Sequence, residues 1–268
     1  MKIKNEILSI ATPTADGLLQ TQYVRSLMGT MSMLRNQTHT KNSQIITFFT
    51  EGTSNIVHGR DDLISDWYFN LPTSNYFLWA DGDMVFHPDD VFKLWKFLHE
   101  KKGKIVAGIG CKKRIDWNVI ADCINAGVVQ SADEILPIAN EYCARNIYPS
   151  KIKGEFATTD FVGTGFMMIS RALIDDLYSH YKKEKKMYFK FKNTFDAIAL
   201  HTPILENGEY FAEDYSFCKR VVDMGETIYV DTNLELGHIG RYLWTGKPSI
   251  HMERHPKYSG QNGVKNVN

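Results

Sequence analysis

The stretch "YFLWADGDMVFHPDDV", residues 76–91, decides how the whole chain is read. A run of apolar and aromatic residues from Tyr76 to Ala80 ends abruptly at two carboxylates, Asp81 and Asp83, with only Gly82 between them. A short unbroken apolar run bounded by turn residues reads as a strand buried on both faces. Pro88 then opens a helical pattern that closes near Gly103, so strand, acidic turn and helix follow in quick succession. Two carboxylates this close repel, and without a cation one of them tends to take up a proton. A divalent ion removes the conflict. Oxygen ligands suit magnesium or manganese, which keep open positions for water and substrate phosphates. The plainer alternative is a pair of turn or helix-capping residues, because Asp-x-Asp is short and common.

The same alternation extends in both directions. "EILSIAT" precedes a helix near 19–35, "SQIITFFT" a helix near 60–70, and "KIVAGIG" follows the Pro88 helix. Further on, "FVGTGFMMISRALIDDLYSHY" reads as loop, strand and helix, "AEDYSFCKRVVDMG" as a helix closed by Gly225, and "ETIYVD" as a last strand. The stretch 111–155 shows no clear pattern. Strand–helix alternation with continuous apolar strands predicts an α/β fold, a mostly parallel central sheet flanked by helices in a single domain. In such sheets ligands bind beyond the carboxyl ends of strands, where Asp81 and Asp83 stand.

With 268 residues the chain can bury one large core. No apolar run is long enough for a transmembrane helix, and "MKIKNEILSIATPT" is too short in apolar residues for a signal peptide. Cys111, Cys123, Cys143 and Cys218 form no CxxC pair and read as reduced thiols of a cytoplasmic protein, with no membrane partner. The net charge of zero hides two basic segments. "KKEKKMYFKFK" (182–192) carries six lysines against one glutamate, and the tail from Arg241 to Asn268 carries five Lys/Arg against Glu253 alone. Interleaved with Tyr188, Phe189, Phe191, Tyr242 and Trp244, these could meet a polyanion; a solvated lysine-rich face is the alternative.

Four separated blocks resemble nucleotide-sugar-dependent glycosyltransferases of the GT-A fold, in the compact form encoded by phages and large viruses. They are "LSIATPT", "FLWADGDMVF" (like the family's DxD motif), "FVGTGFMMISRAL" and "FAEDYSFCKRVVDMGETIYVDTNLELGHIG". The resemblance implies a GT-A domain over residues 1–240, with 241–268 as a basic C-terminal extension packing on or closing over it. It also implies Mn2+ or Mg2+ held by Asp83, by Asp81 (or Asp81 on the ribose), and by His238. Asp214 becomes the candidate general base, with Glu213 second. Thr12, Pro13, Thr14 and Glu51 would border the base and ribose, and Arg60, Gly163, Gly165 and Lys247 the rest of the donor. Related sequences often carry Arg-Asn where this one has Arg60-Asp61, and Lys247 lies nine residues after His238 where some members space them by six. Asp160, Arg241 and Trp244 are candidate acceptor contacts.

The activity implied is transfer of a sugar from a nucleotide-diphosphate donor, UDP-linked by resemblance, to an acceptor hydroxyl. Hydroxymethylated pyrimidine in double-stranded DNA is one such acceptor, and a glycan, protein or small molecule the other. Two further readings compete. A nucleotidyltransferase would carry a Gly-rich basic loop after the first strand, which "ATPTADGLLQ" lacks. A non-catalytic carbohydrate- or nucleic-acid-binding protein would keep ligand binding after Asp83→Ala.

Overall fold

The computed structural model describes residues 2–36, 39–127, 131–148, 156–182, 188–191, 195–241 and 243–254. Eight strands build the central sheet: β1 (Ile7–Thr12), β2 (Gln44–Phe49), β3 (Tyr76–Ala80), β4 (Ile105–Gly108), β5 (Ala144–Tyr148), β6 (Phe156–Val162), β7 (Phe166–Ser170) and β8 (Ile228–Asp231). Across the sheet they lie in the order β5-β6-β8-β4-β7-β3-β1-β2. The helices are α1 (Thr21–Arg35), α2 (Ile56–Asn70), α3 (Pro88–His99), α4 (Trp117–Asn125), α5 (Ala132–Ala139), α6 (Arg171–Lys182), α7 (Glu213–Asp223) and α8 (Pro248–Arg254).

Every residue of β3 and β4 is buried because both faces of the sheet are covered. Side chains alternate between faces along a strand. Phe77 and Trp79 therefore join Ala11, Met167 and Ile169 against α2, α6 and α7, while Leu78 and Ala80 join Leu8, Ile10 and Met168 against α1 and α3. The rings of Phe77 and Trp79 pack edge to face at 4.7 Å, anchoring the first layer.

The Pro88 helix forms as expected, with Pro88 at its first position, and spans Pro88–His99; its capping box had no part in the expectation. The His87 ring accepts from the Asp89 N–H, and the His87 N–H donates to the Asp90 carboxylate at 2.9 Å, closing both ends of a capping box. After the helix, Lys101 takes a positive φ of 55°. A Cβ on Gly103 would stand 2.7 Å from the Tyr229 ring, so only glycine fits there.

The expectation of a mostly parallel sheet is corrected. β1–β2, β1–β3 and β4–β8 run parallel, but β7 enters antiparallel between β3 and β4, and β6 is antiparallel to both β5 and β8. The sheet is mixed. An apolar run reports burial on two faces and carries no information about direction.

Beyond the carboxyl end of β3, Met84–Val85, Leu236–Ile239 and Leu243–Gly246 form a small antiparallel sheet. Within 111–148 the chain forms strand Cys111–Ile115, α4, α5, strand Asn140–Tyr142 and β5. Following Leu243–Gly246, α8 packs on α5, where His251 Nδ1 lies 2.6 Å from the Ile138 carbonyl. Residues 255–268 and much of 182–192, where the basic runs were noted, lie outside the described residues. Among the described residues no helix is long and apolar enough to cross a membrane, and all four cysteines are free.

Candidate active site

Local backbone bonds fix the acidic turn. The Asp81 N–H donates to the Gly165 carbonyl at 2.9 Å, the Met84 N–H donates back to the Asp81 carbonyl at 2.9 Å, and the Ile239 N–H donates to the Asp83 carbonyl at 2.8 Å. The turn is thereby tied to the entry of β7 and to the strand that carries His238. Gly82 serves by close approach: its added Cβ would lie 3.0 Å from Leu19, and its carbonyl accepts from Gln20.

Asp81 and Asp83 point into different environments. Asp81 Oδ2 accepts from Arg60 Nη2 at 2.9 Å, while Asp81 Oδ1 is buried without a hydrogen-bond partner. Arg60 is 3% exposed, and its Nε and Nη1 are likewise buried and unpartnered. Burial works against that guanidinium charge, but Asp81, Glu213 and Asp214 outweigh it and push the Arg60 pKa up. One buried cation thus faces three carboxylates.

Asp83 Oδ2 meets Lys113 Nζ at 2.5 Å and His238 Nε2 at 3.4 Å. Burial alone would raise Asp83, but hydrogen bonds and charge from His238 and Lys113 hold its pKa down at about 2. His238 Nδ1 lies 2.8 Å from the Cys111 carbonyl. A carbonyl only accepts, so Nδ1 carries a proton, and the ring is held with Nε2 toward Asp83. This second hydrogen bond is the feature that orients metal-binding histidines.

Asp214 opens α7, where a carboxylate is favoured by the helix dipole, and its Oδ1 accepts from the Tyr215 N–H at 2.7 Å. Burial first, and then the neighbouring Glu213, push its pKa up to about 6. The glycines of "VGTGF" make room for these acids. A Cβ on Gly163 would lie 3.7 Å from Asp214 Oδ2, and one on Gly165 would lie 3.0 Å from Asp81 Oδ2.

Arg60, Asp81, Gly163, Gly165, Glu213, Asp214 and His238 all line one cavity of about 150 Å³ at the carboxyl ends of β3 and β4. Pro13 and Thr14 line a separate small cleft with Thr50, Thr53 and Gly59, one residue from Arg60. The Thr14 N–H donates to Thr50 Oγ1 at 3.0 Å, holding the ends of β1 and β2 together there. Thr12 is fully buried against the Tyr23 hydroxyl, and Glu51 is exposed; neither lines that cleft.

Other candidates stand apart from the cavity. Asp160 accepts from Asn146 at 2.9 Å and Tyr148 at 3.2 Å. Lys247 faces Glu235 at 3.8 Å, Arg241 is exposed, and Trp244 is only 8% exposed, packed in the core opposite His238. Sequence reasoning missed Lys113, Cys143 and Thr164. Lys113 sits in "CKKRI" with no local signal linking it to Asp83. Cys143 and Thr164 line the cavity, Cys143 with a thiol that burial pushes up to about 11.

A cis pair of ligands at magnesium-like distances of about 2.1 Å stands about 3 Å apart, close to the spacing of Asp83 Oδ2 and His238 Nε2, and Asp81 Oδ1 is a separate buried acceptor without a partner. Among the described residues no three such side chains are gathered into a complete cage. An ion held here would keep positions for oxygen atoms of a substrate.

No family model matches the chain, and no curated protein does. Solved structures do. A197 from STIV aligns at TM-score 0.47 and 13% identity, covering 89% of this chain and 93% of its own. GalNAc-T7 with UDP, GalNAc and Mn2+ aligns at 0.43 and 10% identity over 88% of this chain and 44% of its own. A glycosyltransferase involved in glycosylation of the major capsid of PBCV-1 aligns at 0.30 and 13%, over 70% and 69%. At these values the alignments carry no weight for activity, which rests on the residues of the cavity.

Proposed function

We propose that this protein is a metal-dependent glycosyltransferase that moves a sugar from a nucleotide-diphosphate donor, in the first instance a UDP-sugar, to an acceptor hydroxyl. The observation that carries the reading is a cavity that holds a proton acceptor and is bordered by an acid–imidazole pair. Asp83 Oδ2 and His238 Nε2 stand 3.4 Å apart, and His238 lines the same cavity as Asp214, whose pKa is raised to about 6.

Asp83, His238 and Asp81 would hold Mn2+ or Mg2+, whose charge neutralises that developing on the departing diphosphate. Arg60 holds Asp81 in place through its 2.9 Å bond. Its two unpartnered nitrogens retain hydrogen-bonding capacity for a phosphate or sugar oxygen. Pro13 and Thr14 border the cleft nearest the ends of β1 and β2, a place for base or ribose. At neutral pH Asp214 is ionised but only just, as a general base should be. It accepts the acceptor hydroxyl proton as that oxygen bonds to the anomeric carbon and the bond from that carbon to phosphate oxygen breaks. Negative charge around the cavity also favours an oxocarbenium-like state.

The test is a panel of nucleotide sugars with Mn2+, scored by thermal stabilisation and by release of nucleoside diphosphate. Acceptors are then screened by mass shift, with hydroxymethylated DNA as one member. Release of pyrophosphate from a nucleoside triphosphate would favour a nucleotidyltransferase. Donor binding that survives Asp83→Ala without any turnover would favour a binding protein.

A further inference from the structure

The Asp83 carboxylate already holds a cation belonging to the chain itself. Lys113 Nζ lies 2.5 Å from Asp83 Oδ2, the same oxygen that faces His238 Nε2 at 3.4 Å. Lys113 rides on strand Cys111–Ile115, whose first carbonyl orients the His238 ring. The strand that sets the histidine therefore also delivers the ammonium. Its stem crosses Gly240, where an added Cβ would stand 3.2 Å from Lys113 Cδ.

We propose that Lys113 and the divalent cation are alternative occupants of the Asp83 carboxylate. The inference rests on the metal-site reading above. A metal ion at bonding distance from Oδ2 and an ammonium at 2.5 Å from the same atom would repel strongly at such a separation. Lys113 is the one free to leave. Its side chain is 39% exposed, so an ammonium that swings away regains water at little cost. It keeps the carboxylate pre-aimed when no metal is present, and it lowers the affinity of the free protein for metal.

The experiment is Mn2+ titration of the full chain without donor, by calorimetry or by loss of the free Mn2+ paramagnetic resonance signal. Lys113→Met keeps the stem and removes the charge, and should bind Mn2+ about three- to fivefold more tightly than the parent. Lys113→Arg keeps the charge and should stay within about twofold. In an Asp83→Asn background the Lys113→Met change should have no effect, which locates the coupling at that carboxylate. Thermal melts of each variant confirm that the titrated protein is folded. Equal or weaker Mn2+ binding by Lys113→Met, with Asp83-dependent binding in the parent, overturns this inference alone. Absence of Mn2+ binding in both, with and without UDP, overturns the metal-site reading and this inference with it.

Discussion

Replacing Asp214 with Asn separates the catalytic role proposed for this carboxylate from its cost to the fold. Asn is nearly isosteric, and its Oδ1 can still accept the 2.7 Å bond from the Tyr215 N–H. In the folded protein the Asp214 pKa stands near 6, about two units above that of an unfolded aspartate. A raised carboxylate contributes stability fully below the unfolded pKa, and that contribution is lost as pH rises through the folded value. Two units correspond to roughly 2–3 kcal/mol of destabilisation once Asp214 is ionised. Asp214→Asn should therefore match the parent in stability near pH 4, pull ahead between about pH 4 and 6, and lead by about 2 kcal/mol at pH 8. For a chain of this size that is a rise in Tm of about 5 °C. Over the same range turnover of the parent should climb through pH 6, and the variant should lose about a hundredfold or more. Parallel melts across pH and donor-dependent rates provide the assay. A stability difference that is flat with pH, or a variant that turns over at the parental rate, would refute the assignment of a buried, perturbed base.

Asp83→Asn or His238→Ala should weaken Mn2+ binding about tenfold or more, read by calorimetry. Arg60→Met should leave the half-buried Asp81 without its partner and destabilise the protein by about 2 kcal/mol in denaturant melts. Because the Arg60 charge lowers the Asp214 pKa, any surviving activity should show a pH profile displaced to the alkaline side. Gly165→Ala places a Cβ 3.0 Å from Asp81 Oδ2 and should cut turnover about tenfold while Tm falls by only a few degrees. Asp61 accepts from both the backbone N–H and Nδ1 of the buried His201, at 2.9 and 2.7 Å, so Asp61→Ala should cost about 3 kcal/mol, measured by denaturant unfolding.

The parts of the fold legible in the sequence were those with a strong local cause. Tyr76–Ala80 could be read as a two-sided strand because every residue is apolar, and Pro88 and Gly103 bracket a helix whose caps are local. Direction was not legible. Phe166–Ser170 is as apolar as its neighbours, and nothing within it says that it runs against Tyr76–Ala80. The same division holds at the site. Asp81, Asp83, Glu213 and Asp214 sit in short dense patterns, and the structure brings Asp81, Glu213 and Asp214 to one cavity with His238. Lys113 shares no pattern with Asp83, from which it is thirty positions distant; their pairing follows from how strand Cys111–Ile115 lies beside Leu236–Ile239. Lys247 and Trp244 were singled out for their surroundings in sequence, but the Leu243–Gly246 strand turns Trp244 into the core.

The late arrival of β7 has a consequence for biosynthesis. The chain emerges from the ribosome with β3 and β4 made first, yet they are never neighbours in the finished sheet, because Phe166–Ser170 must slide between them. On its other side β4 waits still longer, for Ile228–Asp231. Until then a nascent polypeptide exposes fully apolar strand edges. Translation halted before residue 170 would leave an open slot flanked by Trp79 and Val106, a target for holding chaperones and for self-association.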